Sequence, residues 1–170
     1  MSNESLVMLA SQIIEVCRKN NVMVATAESC TGGLVSACLT EIPGASHVLE
    51  RGFVTYSDES KVEMLGVMPI TLKQHGAVSR DVALEMAHGA MARSEAGLSI
   101  AVTGVAGPGG GTPTKPIGLV HFGGRHYTGK LIHREMHYGE LTRHAVRMAA
   151  VKTALEMMLE LALIDPKGGH

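Results

Sequence analysis

The sequence predicts an α/β fold: a single three-layer α/β/α domain around a mixed, mostly parallel sheet. Three observations carry that prediction. Short apolar runs such as "VMVATA" and "LSIAVTGVA" alternate with longer stretches of helical periodicity, the pattern of strand–helix–strand units. Near the C-terminus, "IGLVHFGG" and "KLIHREMHY" are separated only by "RHYTG", too short for a crossover helix, so the two runs read as a hairpin or meander and make the sheet mixed. Finally, 170 residues suit one domain, 1–170, long enough to bury a full core without disulfides or metals.

The elements follow in order. Leu6, Ile13, Ile14 and Cys17 share one face of an opening helix over Glu4–Lys19. Val22–Ala27 is a buried strand, and a helix follows from Gly32 to Leu39, stopped by "IPGAS". "VLERGFVTYS" is the second strand, with Gly52 marking a bulge or a close approach. Ser57 then caps a short helix through Leu65, with Asp58 and Glu59 in its first turn. "GVMPITLKQHGAVS" holds a turn and another short helix, and Ser79 caps the long helix that follows. "LSIAVTGVA" is a strand, and "GPGGGTPTKPIG" is too rich in glycine and proline to be anything but loop. After the hairpin, a last helix runs from about Glu140 to Leu163.

Composition excludes several function classes. With 15 Lys+Arg against 16 Asp+Glu there is no basic excess to hold nucleic acid or a membrane surface, and no apolar stretch is long enough to span a membrane. The three cysteines lack CxxC spacing, so they form neither a disulfide framework nor a zinc site. The N-terminus lacks the basic and apolar regions of a signal peptide. A reduced, cytoplasmic protein is expected, as a homo-oligomer with a dimer favoured. Aromatics are scarce and there are 11 methionines, which predicts a core filled by Met, Leu and Val.

Chemistry concentrates in "TAESCTGGLVS", Thr26 to Ser36. Open α/β sheets bind ligands beyond the carboxyl ends of their strands, and Ser29 stands at such an end. The helix after it offers unpaired N–H groups and a positive dipole end for an anion, and Gly32 and Gly33 let the backbone approach a ligand. An ordinary turn with Ser29 or Thr31 as N-cap explains the segment equally well. There is no GxSxG elbow, and SxxK is ruled out because Gly32 is third after Ser29. A base must come from elsewhere: a histidine, or Lys61, whose place early in a helix after a strand disfavours its charged form. Tyr56, at the preceding strand end, could relay or orient. Without a partner, Lys61 reads as a solvated surface residue.

"AVTGVAGPGGGT" repeats the design, with Thr103 at a strand end before Gly104 and Gly107, as if the two strand ends walled one pocket. Its glycines do not fit GxGxxG opening a helix, because Pro108, Pro113 and Pro116 prevent that, nor a Walker loop, because Lys115 follows Thr114 and precedes Pro116. "HREMH" has its Glu third rather than second and reads as strand, which separates His133 and His137 by about 13 Å; no metal site is expected. Cys30 is a buried residue rather than a thiol nucleophile. Arg143 and Arg147, one helical turn apart, suit either a phosphate or a solvated face.

Taken together, "TAESCTGGL", "ERGFVTYSDESKVEMLGV", "HGAVS", "AVTGVAGPGGGT", "KPIGLV" and "RHAVRMAA" resemble the CinA C-terminal domain family over a core of about residues 6–161. Stand-alone members of that family are nicotinamide-nucleotide amidases. The resemblance implies hydrolysis of nicotinamide mononucleotide to nicotinate mononucleotide and ammonia, in pyridine nucleotide recycling, by a serine–lysine mechanism without metal or other cofactor. It matches the catalytic residues to Ser29, Lys61 and Tyr56. With the pocket reading, it puts substrate contacts at Cys30, Thr31, Gly32, Gly33, Thr103, Gly104, Gly107 and Arg143. The expected partner is the small-molecule substrate, not nucleic acid or membrane. A nucleotide-binding regulatory module without turnover, or a hydrolase of another small amide, would keep the same residues.

Overall fold

A computed structural model describes residues 3–165. Its elements are α1 (Asn3–Lys19), β1 (Val24–Glu28), α2 (Leu34–Thr40), a 3₁₀ turn (Ala45–His47), β2 (Leu49–Val54), α3 (Asp58–Leu65), α4 (Pro69–His75), α5 (Arg80–Ala92), β3 (Leu98–Gly104), β4 (Leu119–His126), β5 (Leu131–His137) and α6 (Arg143–Ala162). The five strands form one sheet in the order β2-β1-β3-β4-β5. β1 pairs in parallel with β2 and β3, and β4 is antiparallel to both β3 and β5. Only β4 therefore opposes the common direction, as the mixed, mostly parallel prediction requires.

Strand parity sorts the core into two layers. Val24 of β1 and Leu98, Ile100 and Val102 of β3 pack under α1, α2 and α6. Ala25 and Ala27 of β1 and Ala101 of β3 face the opposite side, with Val82, Met86 and Leu65 from α5 and α3. Small residues let α5 lie close on that second face: a Cβ at Gly123 of β4 would fall 2.3 Å from the Ala83 carbonyl oxygen. The same device seats α3 on α5, since a Cβ at Gly89 would fall 1.9 Å from the Leu65 oxygen.

The chain leaves β1 for β2 through α2 on one face, then returns from β2 to β3 through α3, α4 and α5 on the other. β1 is thus the point where the winding reverses, and the crevice beyond its carboxyl end is where such sheets bind ligands.

Several expectations shift in detail. The first strand begins at Val24 rather than Val22, because the Val22 amide closes the end of α1 on the Cys17 carbonyl. The last helix begins at Arg143 rather than Glu140: Gly139 turns the chain with a positive φ, and the Thr142 hydroxyl caps the Ala145 amide. Gly52 marks a close approach, since a Cβ there would lie 2.5 Å from the Ser36 hydroxyl. Met86, Met157 and Met158 are in the core, but Met8, Met64 and Met68 are exposed.

Candidate active site

Ser29 follows the last residue of β1, and its amide bonds the Val102 carbonyl of β3, which anchors it to the sheet. Glu28 and Ser29 point to opposite faces by strand alternation. Ser29 therefore faces the α3–α5 layer, and the fully buried Glu28 faces α2. Lys61 comes from α3, one turn past its N-cap, Ser57. It is only 1% exposed. Its Nζ lies 3.1 Å from Ser29 Oγ, 2.9 Å from the Thr55 carbonyl oxygen and 3.3 Å from the Tyr56 carbonyl oxygen.

Those three contacts suit both protonation states of the amine. As an ammonium, Nζ donates to all three oxygens. As a neutral amine it keeps two N–H donors for the two carbonyls and turns its lone pair to the Ser29 hydroxyl. Burial holds its pKa below the ordinary lysine value, against a smaller opposing pull from Asp58. Cys30, next to the serine, belongs to the core beneath α6, and burial pushes its thiol up to about 11. A thiol at that value is protonated at neutral pH and is a poor nucleophile.

The helix N-terminus that the sequence offers to an anion is already occupied. Glu28 accepts from the amides of Val35 (2.8 Å) and Ser36 (3.1 Å), and the Thr26 hydroxyl approaches the same carboxylate. The carboxylate neutralises the positive end of α2 from inside the protein. What remains in the turn is different: Gly32 (φ 57°) and Gly33 (φ 104°) bend the chain through left-handed backbone. Among the described residues, the amides of Cys30, Thr31 and Gly33 have no backbone acceptor.

The cleft over this turn has a volume of about 270 Å³ and includes Ser29, Cys30, Tyr56, Lys61, Thr103 and Arg143 in its walls. That size suits a small ligand rather than a macromolecule. Gly104 and Gly107 complete the wall with Thr103, so the structure does bring the two punctuated strand ends together. Thr103 donates its hydroxyl hydrogen to the Ala77 carbonyl, leaving it able to accept from a ligand but not to donate. Gly104 also serves packing, because a Cβ there would meet Val120 at 2.6 Å. Thr31 is fully buried, and neither it nor Gly32 and Gly33 is in the cleft wall.

Tyr56 and Arg143 meet at the mouth. Arg143 donates to the Tyr56 hydroxyl (2.7 Å) and to the Gly107 carbonyl (2.8 Å), which ties the β2–α3 junction, the glycine loop and α6 together. The Tyr56 group touching Lys61 is its carbonyl, not its hydroxyl. Arg143 and Arg147 do not act as a pair. Arg147 turns to the carbonyls of Cys30 (3.0 Å) and Thr31 (3.2 Å) and is outside the cleft. Sequence reasoning did not assign Glu28 a role; its only signal is an acid closing an otherwise apolar strand. Among the described residues, no cluster of His, Cys, Asp and Glu could hold a metal ion.

Comparison with known proteins supports the pattern of blocks. The CinA C-terminal domain profile matches residues 7–162. The chain belongs to the CinA C-terminal domain family. It is 43% identical over 159 residues to nicotinamide-nucleotide amidohydrolase PncC of Escherichia coli K12, covering 93% of this chain and 95% of that protein. It is 48% identical over 139 residues to a putative competence-damage inducible protein of Acetivibrio thermocellus, 82% of this chain, but spans only 33% of that longer relative. The crystal structure of competence/damage inducible protein CihA from Agrobacterium tumefaciens is similar at a TM-score of 0.91 and 52% identity, covering 92% of this chain and 95% of that one. Among the described residues no helix is long and apolar enough to cross a membrane.

Proposed function

We propose that this chain is an amidohydrolase that converts nicotinamide mononucleotide and water to nicotinate mononucleotide and ammonia, with Ser29 as nucleophile and Lys61 as its base. The observation that carries the reading is the 3.1 Å contact between Lys61 Nζ and Ser29 Oγ, with two carbonyls taking the other amine hydrogens. The likeness to a curated amidohydrolase over nearly the whole chain supports the same chemistry.

In this mechanism neutral Lys61 takes the Ser29 proton as Oγ attacks the carboxamide carbon. The oxyanion is met by amides of the turn after Ser29, or by those near Thr103 and Gly104. Collapse of the tetrahedral intermediate breaks the C–N bond, and the proton passes from Lys61, oriented by the Tyr56 carbonyl, to the departing ammonia. Water then attacks the acyl-enzyme, Lys61 takes its proton, and Ser29 is reprotonated as nicotinate mononucleotide leaves. No cofactor is required. Arg143, held by Tyr56 and Gly107, keeps N–H groups free to bind the phosphate. This reading places the reaction in cytoplasmic pyridine nucleotide recycling by a homo-oligomer, with a dimer favoured.

Ammonia release measured across nicotinamide, its riboside, its mononucleotide and the dinucleotide tests the proposal. The mononucleotide should be preferred, and Ser29→Ala should abolish release while binding persists. Binding without ammonia would instead make this a regulatory module. Release only from unrelated amides would reassign the substrate, and full activity in Ser29→Ala would overturn the mechanism.

A further inference from the structure

The guanidinium of Arg147 reaches from α6 to the backbone of the nucleophile turn. Nε donates to the Cys30 carbonyl at 3.0 Å and an Nη donates to the Thr31 carbonyl at 3.2 Å. These are the carbonyls of the Cys30–Thr31 and Thr31–Gly32 peptides, the second and third peptide units after Ser29. Gly32 makes room for the contact: a Cβ there would lie 3.4 Å from the guanidinium, and its φ of 57° disfavours any side chain.

A trans peptide points its N–H opposite to its C=O, and among the described residues the only cis bond is Gly107–Pro108. Holding two carbonyls toward α6 therefore turns the two paired amides away from it. The second of these, the Gly32 N–H, closes the turn on the Ser29 carbonyl at 3.0 Å. The first, the Thr31 N–H, has no backbone acceptor among the described residues, and neither does the Cys30 N–H before it. α6 lies on one face of the sheet, whereas α3, which supplies Lys61, lies on the other. The Gly32 N–H in turn holds the Ser29 carbonyl, so the trans Ser29–Cys30 peptide directs its own Cys30 N–H away from that bond, and Cys30 is in the cleft wall with Ser29 and Lys61.

We propose that Arg147 is a positioning residue that sets the peptide planes of the turn after Ser29, and so, through the Gly32 bond to the Ser29 carbonyl, keeps the Cys30 amide available to the oxyanion. It acts through the backbone and does not touch substrate. Glu28 braces the turn from its other end by taking the Val35 and Ser36 amides. The turn is held by Glu28 on the amides of the helix that follows and by Arg147 on its carbonyls, and among the described residues the Cys30 amide between them has no backbone acceptor.

The inference rests on the acyl-transfer reading, so its test needs a readout independent of the amide substrate. Ser29 labelling by a fluorophosphonate probe forms a tetrahedral adduct whose oxygen needs the same donors. Arg147→Met should lower kcat by about 100-fold, the scale of losing one oxyanion donor, with KM little changed, and should slow probe labelling by a similar factor. Arg147→Lys keeps the charge but reaches one carbonyl at a time, and should recover part of both rates. Circular dichroism melts show which variants are folded; if Arg147→Met is not, the Lys variant decides alone. Unchanged kcat and labelling in a folded variant would overturn the proposal. A rise in KM alone would also overturn it, by making Arg147 a substrate contact. Wild-type protein that labels normally but releases no ammonia would count against the substrate reading, while the labelling rates of the variants would still judge Arg147.

Discussion

Replacing Lys61 by methionine should abolish turnover and also change how stability depends on pH. The lysine is buried, and desolvation lowers its folded pKa below the ordinary value of 10.5. In the unfolded chain the amine titrates at about 10.4. Below the folded pKa both states carry the proton, and the penalty on the buried ammonium is full and constant. Between the folded and unfolded values only the unfolded chain is protonated, so stability rises with pH, by at most about 1.4 kcal/mol per pH unit. Above the unfolded value both states are neutral and the penalty is gone. Methionine has no proton to lose. It also leaves the Thr55 and Tyr56 carbonyls without their donor, which destabilises by ~1–3 kcal/mol for each acceptor left unpaired. That loss is the same at every pH, so the difference between the two proteins isolates the lysine. At about 2–4 °C per kcal/mol for a domain of this size, the wild-type Tm should climb relative to Lys61→Met by up to about 3–6 °C per pH unit within the window. Circular dichroism melts from neutral pH to about pH 10 measure this difference. Curves that stay parallel throughout would show an ordinary lysine and refute its assignment as a base poised to lose its proton.

Other expectations follow from the site. Glu28→Gln sets an amide N–H₂ against one of the two helix amides that the carboxylate now accepts. Leaving that buried donor unpaired and removing the charge from the α2 terminus should destabilise by roughly 2–4 kcal/mol, read as a Tm drop of about 4–16 °C; a Tm within a degree or so of wild type would show that the cap contributes nothing. Arg143→Met should raise KM for the mononucleotide, with the riboside, which lacks the phosphate, unaffected. Equal losses for both substrates would place Arg143 elsewhere than at the phosphate.

What could be read from the sequence followed from local signals. Ser57 and Ser79 as N-caps, the hairpin at "RHYTG" and the glycine loop are all set by residues adjacent in the chain, and the structure reproduces them. Ser29 and Lys61 each stood out by position, at a strand end and in an early helical turn. Their meeting did not, because it spans 32 residues and depends on how α3 seats against α5 at Gly89. The anion site expected at the start of α2 failed for a related reason. Its donors are taken by Glu28, six residues before the helix begins, and strand parity rather than sequence proximity aims that carboxylate at them. Arg147 looked like the partner of Arg143 because helical spacing puts them one turn apart. That one turn is enough for one to face the cleft and the other the turn behind it, 117 residues from Cys30 in sequence.

The two faces of the sheet divide the work in a way that bears on the choice of a lysine. In the proposed mechanism a base brought in by α3 must be neutral to accept a proton, and among the described residues the crevice wall holds no carboxylate–histidine pair to tune an imidazole. Burial against the small-residue face supplies the tuning instead: it penalises the ammonium, while the Thr55 and Tyr56 carbonyls fix the two hydrogens that the neutral amine retains. Those carbonyls belong to the end of the same β2–α3 connection that launches the helix, so orientation of the base is a property of backbone and does not depend on a third side chain. Arginine at this position would be inert, since guanidinium keeps its proton. A neutral histidine could not hold both carbonyls, because its ring has only one N–H. Lysine alone combines two donors with a free lone pair; the part of Tyr56 that meets it is the main-chain carbonyl, while the phenol is held by Arg143.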